Sequence, residues 1–275
     1  MKFAYYINNA RLLSDPKLTG LLSELEGAGC EIYRAEVGQP LRDGTDALLS
    51  CGGDGTFLSA ALIADPAGIP IVGVNFGRIG FLSEYKPENI AGPLLAGEYT
   101  VIERQMISAC IHGEGEEDTR IALNEISVSR IGSAMVGVDV SVNGEPLPTY
   151  WADGLLVATS SGSTAYALSV GGPICTPDSK VLIIAPIAPH NLNLRPLIVP
   201  EDASITISLR SRSDEVMFTA DNYNRVLPAG VTISCGAAAR KLRCIKPGRS
   251  NFFEALRSKL LWGEDVRNTE ENQNR

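Results

Sequence analysis

The feature that most limits what this chain can fold into is a junction near residue 50. An apolar run, Ala47-Leu48-Leu49-Ser50, reads as a buried strand, and Thr56 to Ala64 reads as a helix. Between them stand Cys51-Gly52-Gly53-Asp54-Gly55, three glycines around one carboxylate. Glycine permits positive φ and clears the side chains that would block a ligand. The helix that follows offers unpaired N–H groups and a positive dipole end to an anion. The turn therefore suits phosphate oxygens, with Gly52, Gly53, Gly55 and Thr56 as the candidate phosphate contacts. Asp54 sits among them, and a carboxylate repels phosphate unless it binds a metal ion or takes a proton from a nucleophile. The local alternatives are a purely structural turn, or Asp54 as the helix N-cap. The spacing fits neither a Walker-type phosphate loop nor a dinucleotide G-x-G-x-x-G loop.

The first third of the chain alternates strands and helices. Phe3 to Ile7 reads as a strand, and Asp15-Pro16 as a helix start, followed by Leu18, Leu21, Leu22 and Leu25 at helical spacing up to Gly27 and Gly29. Glu31 to Tyr33, Ala47 to Ser50 and Pro70 to Asn75 read as further strands, and Pro87 to Ala96 as a helix. This order predicts a mostly parallel sheet with flanking helices, its ligand at the carboxyl ends of the strands. Near Gly97 the pattern changes. Val136, Val138, Val140 and Val142 alternate up to an Asn143-Gly144 turn signal, and Ile205, Ile207, Leu209 and Val231, Ile233, Cys235 alternate likewise. These predict a β-sandwich-like second half. Phe252, Leu256 and Leu260 predict a last helix docked on a core, and Glu270 to Arg275 reads as a frayed polar end. The expected division is an α/β N-terminal domain over 1–98, a β-rich domain over 99–250, and a helix and tail over 251–275.

The bulk numbers exclude several classes. With 275 residues, 44 % of them hydrophobic, the chain builds a sizeable core. A net charge of −8 and no Lys/Arg cluster argue against a nucleic-acid partner. The six cysteines are scattered without a C-x-x-C pair, which suits a reducing cytoplasm. No apolar stretch approaches the roughly 20 residues of a membrane span, and the opening run reads as a strand rather than a signal peptide. His112 and His190 stand isolated, and no His/Cys cluster suggests a protein-held metal; carboxylate and phosphate suit Mg²⁺ instead.

Other candidate sites carry bland alternatives. Asn124-Glu125 interrupts an apolar strand: a surface strand end, or an amide and a carboxylate offered to sugar hydroxyls. Asp153-Gly154 is a turn before a strand, or a carboxylate for a ribose or carboxamide. Ser160 to Pro173 is another glycine loop leading into a short helix. There Thr164 reads as an N-cap, and Tyr166 as core or as a stacking ring.

Taken together and in order, these segments resemble the NAD kinase family. Gly52-Gly53-Asp54-Gly55-Thr56 resembles its GGDGT signature, and Gly73 to Leu82 its GxNxGxxGFL segment. Asn124-Glu125 is similar to its NE pair, and Asp153-Gly154 through Gly171-Gly172-Pro173 to its DG…GSTAY…LSxGGP stretch. Pro186 to His190, Arg195-Pro196-Leu197 and the closing helix are similar as well. The resemblance covers most of the chain and implies a two-domain enzyme whose final helix docks back on the first domain. It implies transfer of the γ-phosphate of ATP, with Mg²⁺, to the 2′-hydroxyl of the adenosine ribose of NAD. By the same resemblance Asp54 is the general base, and Gly55 holds the substrate at that turn. Asn124 and Glu125 hold hydroxyls of the nicotinamide ribose, and Asp153 contacts the nicotinamide side. Thr164, Ala165, Tyr166 and Ser169 cradle the adenosine part, and Leu58 and Phe81 wall the pocket. Asp221 joins the substrate-binding set from Asp221-Asn222-Tyr223, where the family often reads Asp-Gly-Gln. Trp151 stands where many members carry arginine or another polar residue. A homodimer or homotetramer is implied, a neighbouring subunit completing the pocket. Two other readings remain: a lipid or sugar-phosphate kinase with a similar turn, and a non-catalytic dinucleotide-binding protein.

Overall fold

Strand β1 (Lys2–Tyr6) leads to helix α1 (Pro16–Gly27), whose start follows from its residues. The Lys17 N–H donates to the Asp15 carboxylate at 2.9 Å, and Pro16 takes the first position, where no N–H is needed. Leu18, Leu21 and Leu25 are buried, and Gly29, at φ +81°, turns the chain after the helix. Strand β2 (Glu31–Arg34), β3 (Ala47–Cys51), α2 (Asp54–Ala64), β4 (Ile71–Val74) and α3 (Ala91–Ala96) follow. The strands pair in parallel in the order β4-β3-β1-β2. Phe57, Ala60 and Ala64 of α2 pack with Leu48 and Ile71 in one core cluster, while α1 and α3 pack with Leu49 and Val72 in another. Covered on both faces, β3 and β4 are buried throughout and, Ser50 apart, carry no polar side chain. The helix expected over Pro87 to Ala96 is instead a 3₁₀ turn, Pro87–Asn89, and then α3. Pro93 lacks the N–H that a continuous helix would need there, and it is accommodated in the first turn of α3.

The computed structural model describes residues 1–77, 80–113, 117–211, 214–248 and 252–262. Arg78 and Ile79 of the Gly73 to Leu82 segment, and the end Glu270 to Arg275, lie outside the described residues.

The second half is β-rich: β5 (Tyr99–His112), β6 (Asp118–Ala122), β7 (Glu125–Arg130), β8 (Val136–Val142), β9 (Glu145–Pro146), β10 (Tyr150–Ala152), β11 (Gly154–Thr159), the short α4 (Tyr166–Ser169), β12 (Val181–Ile187), β13 (Leu197–Pro200), β14 (Ile205–Ser211), β15 (Glu215–Ala220), β16 (Tyr223–Pro228) and β17 (Thr232–Pro247). One sheet runs β13-β12-β11-β7-β15-β16, antiparallel throughout. It faces a second sheet through Val128, Val138, Val157, Ile184, Ile207, Phe218 and Ile233, the sandwich core. The Asn143-Gly144 turn between β8 and β9 has both residues left-handed, at φ +53° and +86°. The second sheet does not stop at the domain edge. β17 pairs along β5 and meets β4 in parallel at Cys244 and Ile71, so one sheet runs β10-β8-β14-β17-β4-β3-β1-β2. A register shift between Ala237 and Lys241 lets β17 serve both halves. Helix α5 (Phe252–Leu260) returns to the first half, its Phe252 ring 6.1 Å from Phe81. Its docking face is narrower than its spacing suggests: Leu256 is buried, while Leu260 stays exposed.

Candidate active site

The chain leaves β3 at Cys51 and enters α2 at Asp54, with Gly53 as N-cap. The Asp54 carboxylate does not cap its own helix. It accepts from three backbone N–H groups of the loop after β4: Phe81 to Oδ2 at 2.8 Å, and Leu82 and Ser83 to Oδ1 at 3.1 and 2.9 Å. A carboxylate has about four acceptor positions, two per oxygen. Oδ1 is filled, and one position on Oδ2 remains. That loop is held in turn by Asn75, whose Nδ2 donates to the Ser83 carbonyl at 3.2 Å. Gly80 is required here, because a Cβ would lie 1.6 Å from Asp54 Oδ1. The turn glycines divide by role. A Cβ on Gly52 would strike the Thr56 hydroxyl at 2.3 Å, whereas Gly53 and Gly55 border open space. Leu58 is buried in the core beneath α2, and Phe81 is half-buried against α5.

Asn124 and Glu125 form the corner between β6 and β7. Asp221, left-handed at φ +48°, accepts from the N–H groups of Leu123, Asn124 and Glu125 at 2.6, 2.9 and 3.2 Å. It is a brace beneath the pair, with both oxygens directed at backbone. Asn124 Oδ1 and Glu125 Oε2 are buried without hydrogen-bond donors among the described residues. Burial pushes the Glu125 carboxyl up to about 7; the Asp221 charge adds to this and the Tyr166 N–H opposes it. The next residue, Asn222, reaches the other half of the site: its Nδ2 donates to the Gly55 carbonyl at 2.8 Å and to Ser59 Oγ at 3.0 Å. Two adjacent residues thus tie the Asn124-Glu125 corner to the helix that carries Asp54.

The segment after β11 lies on this corner. A Cβ on Gly162 would sit 2.2 Å from the Asn124 carbonyl oxygen, so only glycine allows the approach. Thr159 donates from N to Asn124 O at 2.8 Å and from Oγ1 to Leu123 O at 2.6 Å. Thr164 is not an N-cap: it ends a 3₁₀ turn, and its hydroxyl faces the Ser161 carbonyl at 3.4 Å. α4 starts after Ala165 with no side-chain cap, and its Tyr166 and Ser169 are exposed. The ring of Tyr166 is therefore a surface group and not core.

Asp153 lies elsewhere. Gly154 pairs with Ser129 and Ala158 with Glu125, so Asp153 and Glu125 stand at opposite ends of the β7–β11 ladder, roughly 16 Å apart at about 3.3 Å per residue. Asp153 is gripped by Arg130, Nε to Oδ1 at 2.6 Å, which holds its carboxyl below the usual range. Gly154 is a strand residue and not a turn residue; a Cβ would lie 2.3 Å from the Val128 carbonyl. Trp151 lays its ring over Gly137 of the neighbouring strand, and Tyr223 stacks under the Arg120 guanidinium at 4.2 Å. The expectation of no His/Cys grouping needs correction: the β5–β6 hairpin brings Cys110, His112 and Glu117 within reach of one cation. Strand alternation puts Cys110 and His112 on one face, a proximity hidden by their separation from Glu117 in sequence.

The profile for the ATP-NAD kinase N-terminal domain matches residues 17–97, and that for the ATP-NAD kinase C-terminal domain matches 123–246. The NAD kinase of Flavobacterium psychrophilum is 38 % identical over 267 residues, covering 95 % of this chain and 91 % of that one. The chain belongs to the NAD kinase family. The NAD kinase of Bacteroides fragilis is 40 % identical over 226 residues, 81 % of this chain and 78 % of that one. The crystal structure of an NAD kinase from Archaeoglobus fulgidus in complex with ATP aligns with a TM-score of 0.76 at 27 % identity, over 95 % of this chain and 99 % of that one. Yeast NADH kinase complexed with NADH aligns with a TM-score of 0.83 over 97 % and 89 %, and at 22 % identity that likeness bears on the fold.

For this NAD kinase family member, sequence reasoning missed the contacts of Asn222 and Arg130. Arg130 lies in no quoted motif, and the partners of both are distant in sequence. Only the hint of a departure at Asp221-Asn222-Tyr223 pointed toward one of them.

Proposed function

We propose that this chain transfers the γ-phosphate of ATP to the 2′-hydroxyl of the adenosine ribose of NAD, giving NADP and ADP. The observation that carries the reading is the corner at Asn124 and Glu125. Two buried acceptors lack donors there, and a buried acceptor without a donor costs about 1–3 kcal/mol. A ribose diol supplies the missing donors, and Asn222 ties the corner to the helix of Asp54. In the reaction the open position on Asp54 Oδ2 takes the 2′-hydroxyl proton. The ribose oxygen attacks the γ-phosphorus as the bond to the β-phosphate oxygen breaks and ADP leaves. Gly52, Gly53, Gly55 and Thr56 border the donor phosphates, with Gly55 also touching the acceptor, and Mg²⁺ arrives with ATP as part of the substrate. Thr164, Ala165, Tyr166 and Ser169 hold the adenosine part, Tyr166 by stacking, and Phe81 and Leu58 close the wall. Asp221 acts by positioning.

The 16 Å scale of the Asp153 separation favours a homodimer or homotetramer in which Asp153 of a second copy serves the nicotinamide side. We place the domain limits at 1–98, 99–250 and 251–275, supported by the two profile matches, with the pairing of β17 to β4 crossing between the first two. Among the described residues no helix is long and apolar enough to cross a membrane, and all six cysteines are free, in keeping with a cytoplasmic setting. Asp54→Asn tests the base: turnover falls about 100-fold or more while NAD binding survives. Near-normal turnover in that variant would remove Asp54 from the mechanism.

A further inference from the structure

The glycine turn offers backbone to the donor but no cation. A cavity of about 670 Å³ lies on the loop that holds Asp54, between Phe81 and Glu84, β5, β17, residues 176–178 and α5. Its size is that of a small-molecule site. Phe81 forms part of its wall, and the Phe81 N–H is the one held by Asp54 Oδ2. The acceptor corner reaches Asp54 through Asn222 and α2, whereas the cavity reaches it through the loop after β4. The carboxylate stands where the two approaches meet.

The charged groups at the cavity are Arg104, Lys246, Glu84 and, at its exposed rim, Asp178. Arg104 is buried on β5; Nη1 donates to Ser161 Oγ at 3.0 Å, and Nη2 stands 3.9 Å from Glu84. Glu84 is also ion-paired with Lys246. Lys259 of α5 lies beside the cavity with Nζ 3.8 Å from the centroid of the Phe81 ring. That ammonium is buried and has no hydrogen-bond acceptor among the described residues. Burial pushes Lys259 down to about 8, against the pull of Asp54 and Glu84. A buried cation in this state is stabilised by any anion that comes to it. No hydrogen bond joins Asp54 to Lys259 among the described residues, and Glu84 is committed to Arg104 and Lys246.

Building on the kinase reading, we propose that this cavity receives the triphosphate chain of the phosphoryl donor, held by Lys259 and Arg104 beside Asp54. Guanidinium offers a fork to two phosphate oxygens, and ammonium a compact point charge. ATP and inorganic tripolyphosphate carry the same chemistry.

Two variants test it, both checked for native circular dichroism: Lys259→Gln, which removes the ammonium, and Thr100→Trp, which fills the cavity from an exposed position. The expected result is a KM for ATP raised about tenfold or more in each, the scale of one lost charge-assisted contact, with the KM for NAD within about twofold. Calorimetric titration of a non-hydrolysable ATP analogue and of tripolyphosphate into the NAD-free chain should show the same weakening. Tighter binding of the analogue assigns the cavity to the nucleotide donor; equal binding assigns it to the phosphate chain alone; both support the site. An unchanged KM for ATP in the folded variants, or a change confined to NAD, overturns it. If the unmodified chain makes no NADP, the kinase reading fails by itself. Tripolyphosphate binding that is lost in Lys259→Gln would then still identify the anion site.

Discussion

Replacing Gly80 by alanine perturbs the site without replacing any side chain proposed to meet substrate. The added Cβ would lie 1.6 Å from Asp54 Oδ1 and 2.3 Å from its Cγ. Side-chain Cβ atoms do not approach closer than 3.0 Å, so the carboxylate must retreat by about 1.4 Å or the loop must lift away from it. Either movement breaks the bonds from the Leu82 and Ser83 N–H groups to Oδ1. Bonds to a charged acceptor contribute about 1.5–3 kcal/mol each, so a stability loss of about 3 kcal/mol is expected. Misplacing a reacting group by about 1 Å can cost about 100-fold in rate. Gly80→Ala should therefore lower kcat about 100-fold with the KM for NAD little changed, because the Asn124-Glu125 corner is not involved. Steady-state kinetics and a thermal melt read both effects. Gly77→Ala is the control, since a Cβ there meets nothing within 4 Å. A kcat near that of the unmodified chain in Gly80→Ala would refute the claim that the loop after β4 holds Asp54 in its working position.

Further outcomes follow from the same geometry. Asp221→Asn leaves one oxygen where three N–H groups now bond to two; the KM for NAD should rise about tenfold, with a smaller effect on kcat, in steady-state assays. Glu125, with its carboxyl pushed up to about 7 chiefly by burial, binds its proton more tightly folded than unfolded. Its contribution to stability is thus complete below the ordinary value of 4.5 and is lost as pH rises through about 7. Melting temperature should fall across that window, and less so in Glu125→Gln. Over the same range kcat/KM for NAD should rise as the carboxylate becomes an acceptor for both hydroxyls.

Much of this architecture is written in local pattern. The Asp15-Pro16 start, the leucines of α1 and the apolar β3 and β4 follow from capping and periodicity, and so does the alternation of β8, β14 and β17. Pairing between distant strands does not. Nothing local says that Cys244 lies beside Ile71, and only that register makes one sheet of two halves. The candidate site divides in the same way. The residue types at Gly52 to Thr56 and Asn124-Glu125 suggested chemistry because glycines and a polar pair interrupt apolar runs. The use of Asp54 as an acceptor for a loop nearly 30 residues on, of Asp221 as a brace, and of Gly162 as the contact that seats one loop on another depends on close approaches in three dimensions. Asp153 carries a suggestive motif, yet strand register sets it at the far end of its ladder from Glu125. Lys259 sits on an amphipathic helix where a lysine attracts no notice; only the fold buries it beside Phe81.

The central claim is tested most directly by incubating the purified chain with Mg²⁺, ATP and NAD and locating the phosphate on the product. The account predicts NADP carrying a 2′-phosphate on the adenosine ribose, formed in stoichiometry with ADP. A product only with diacylglycerol or fructose 6-phosphate as acceptor would contradict it. So would measurable NAD binding with no phosphoryl transfer from ATP or polyphosphate to NAD or NADH.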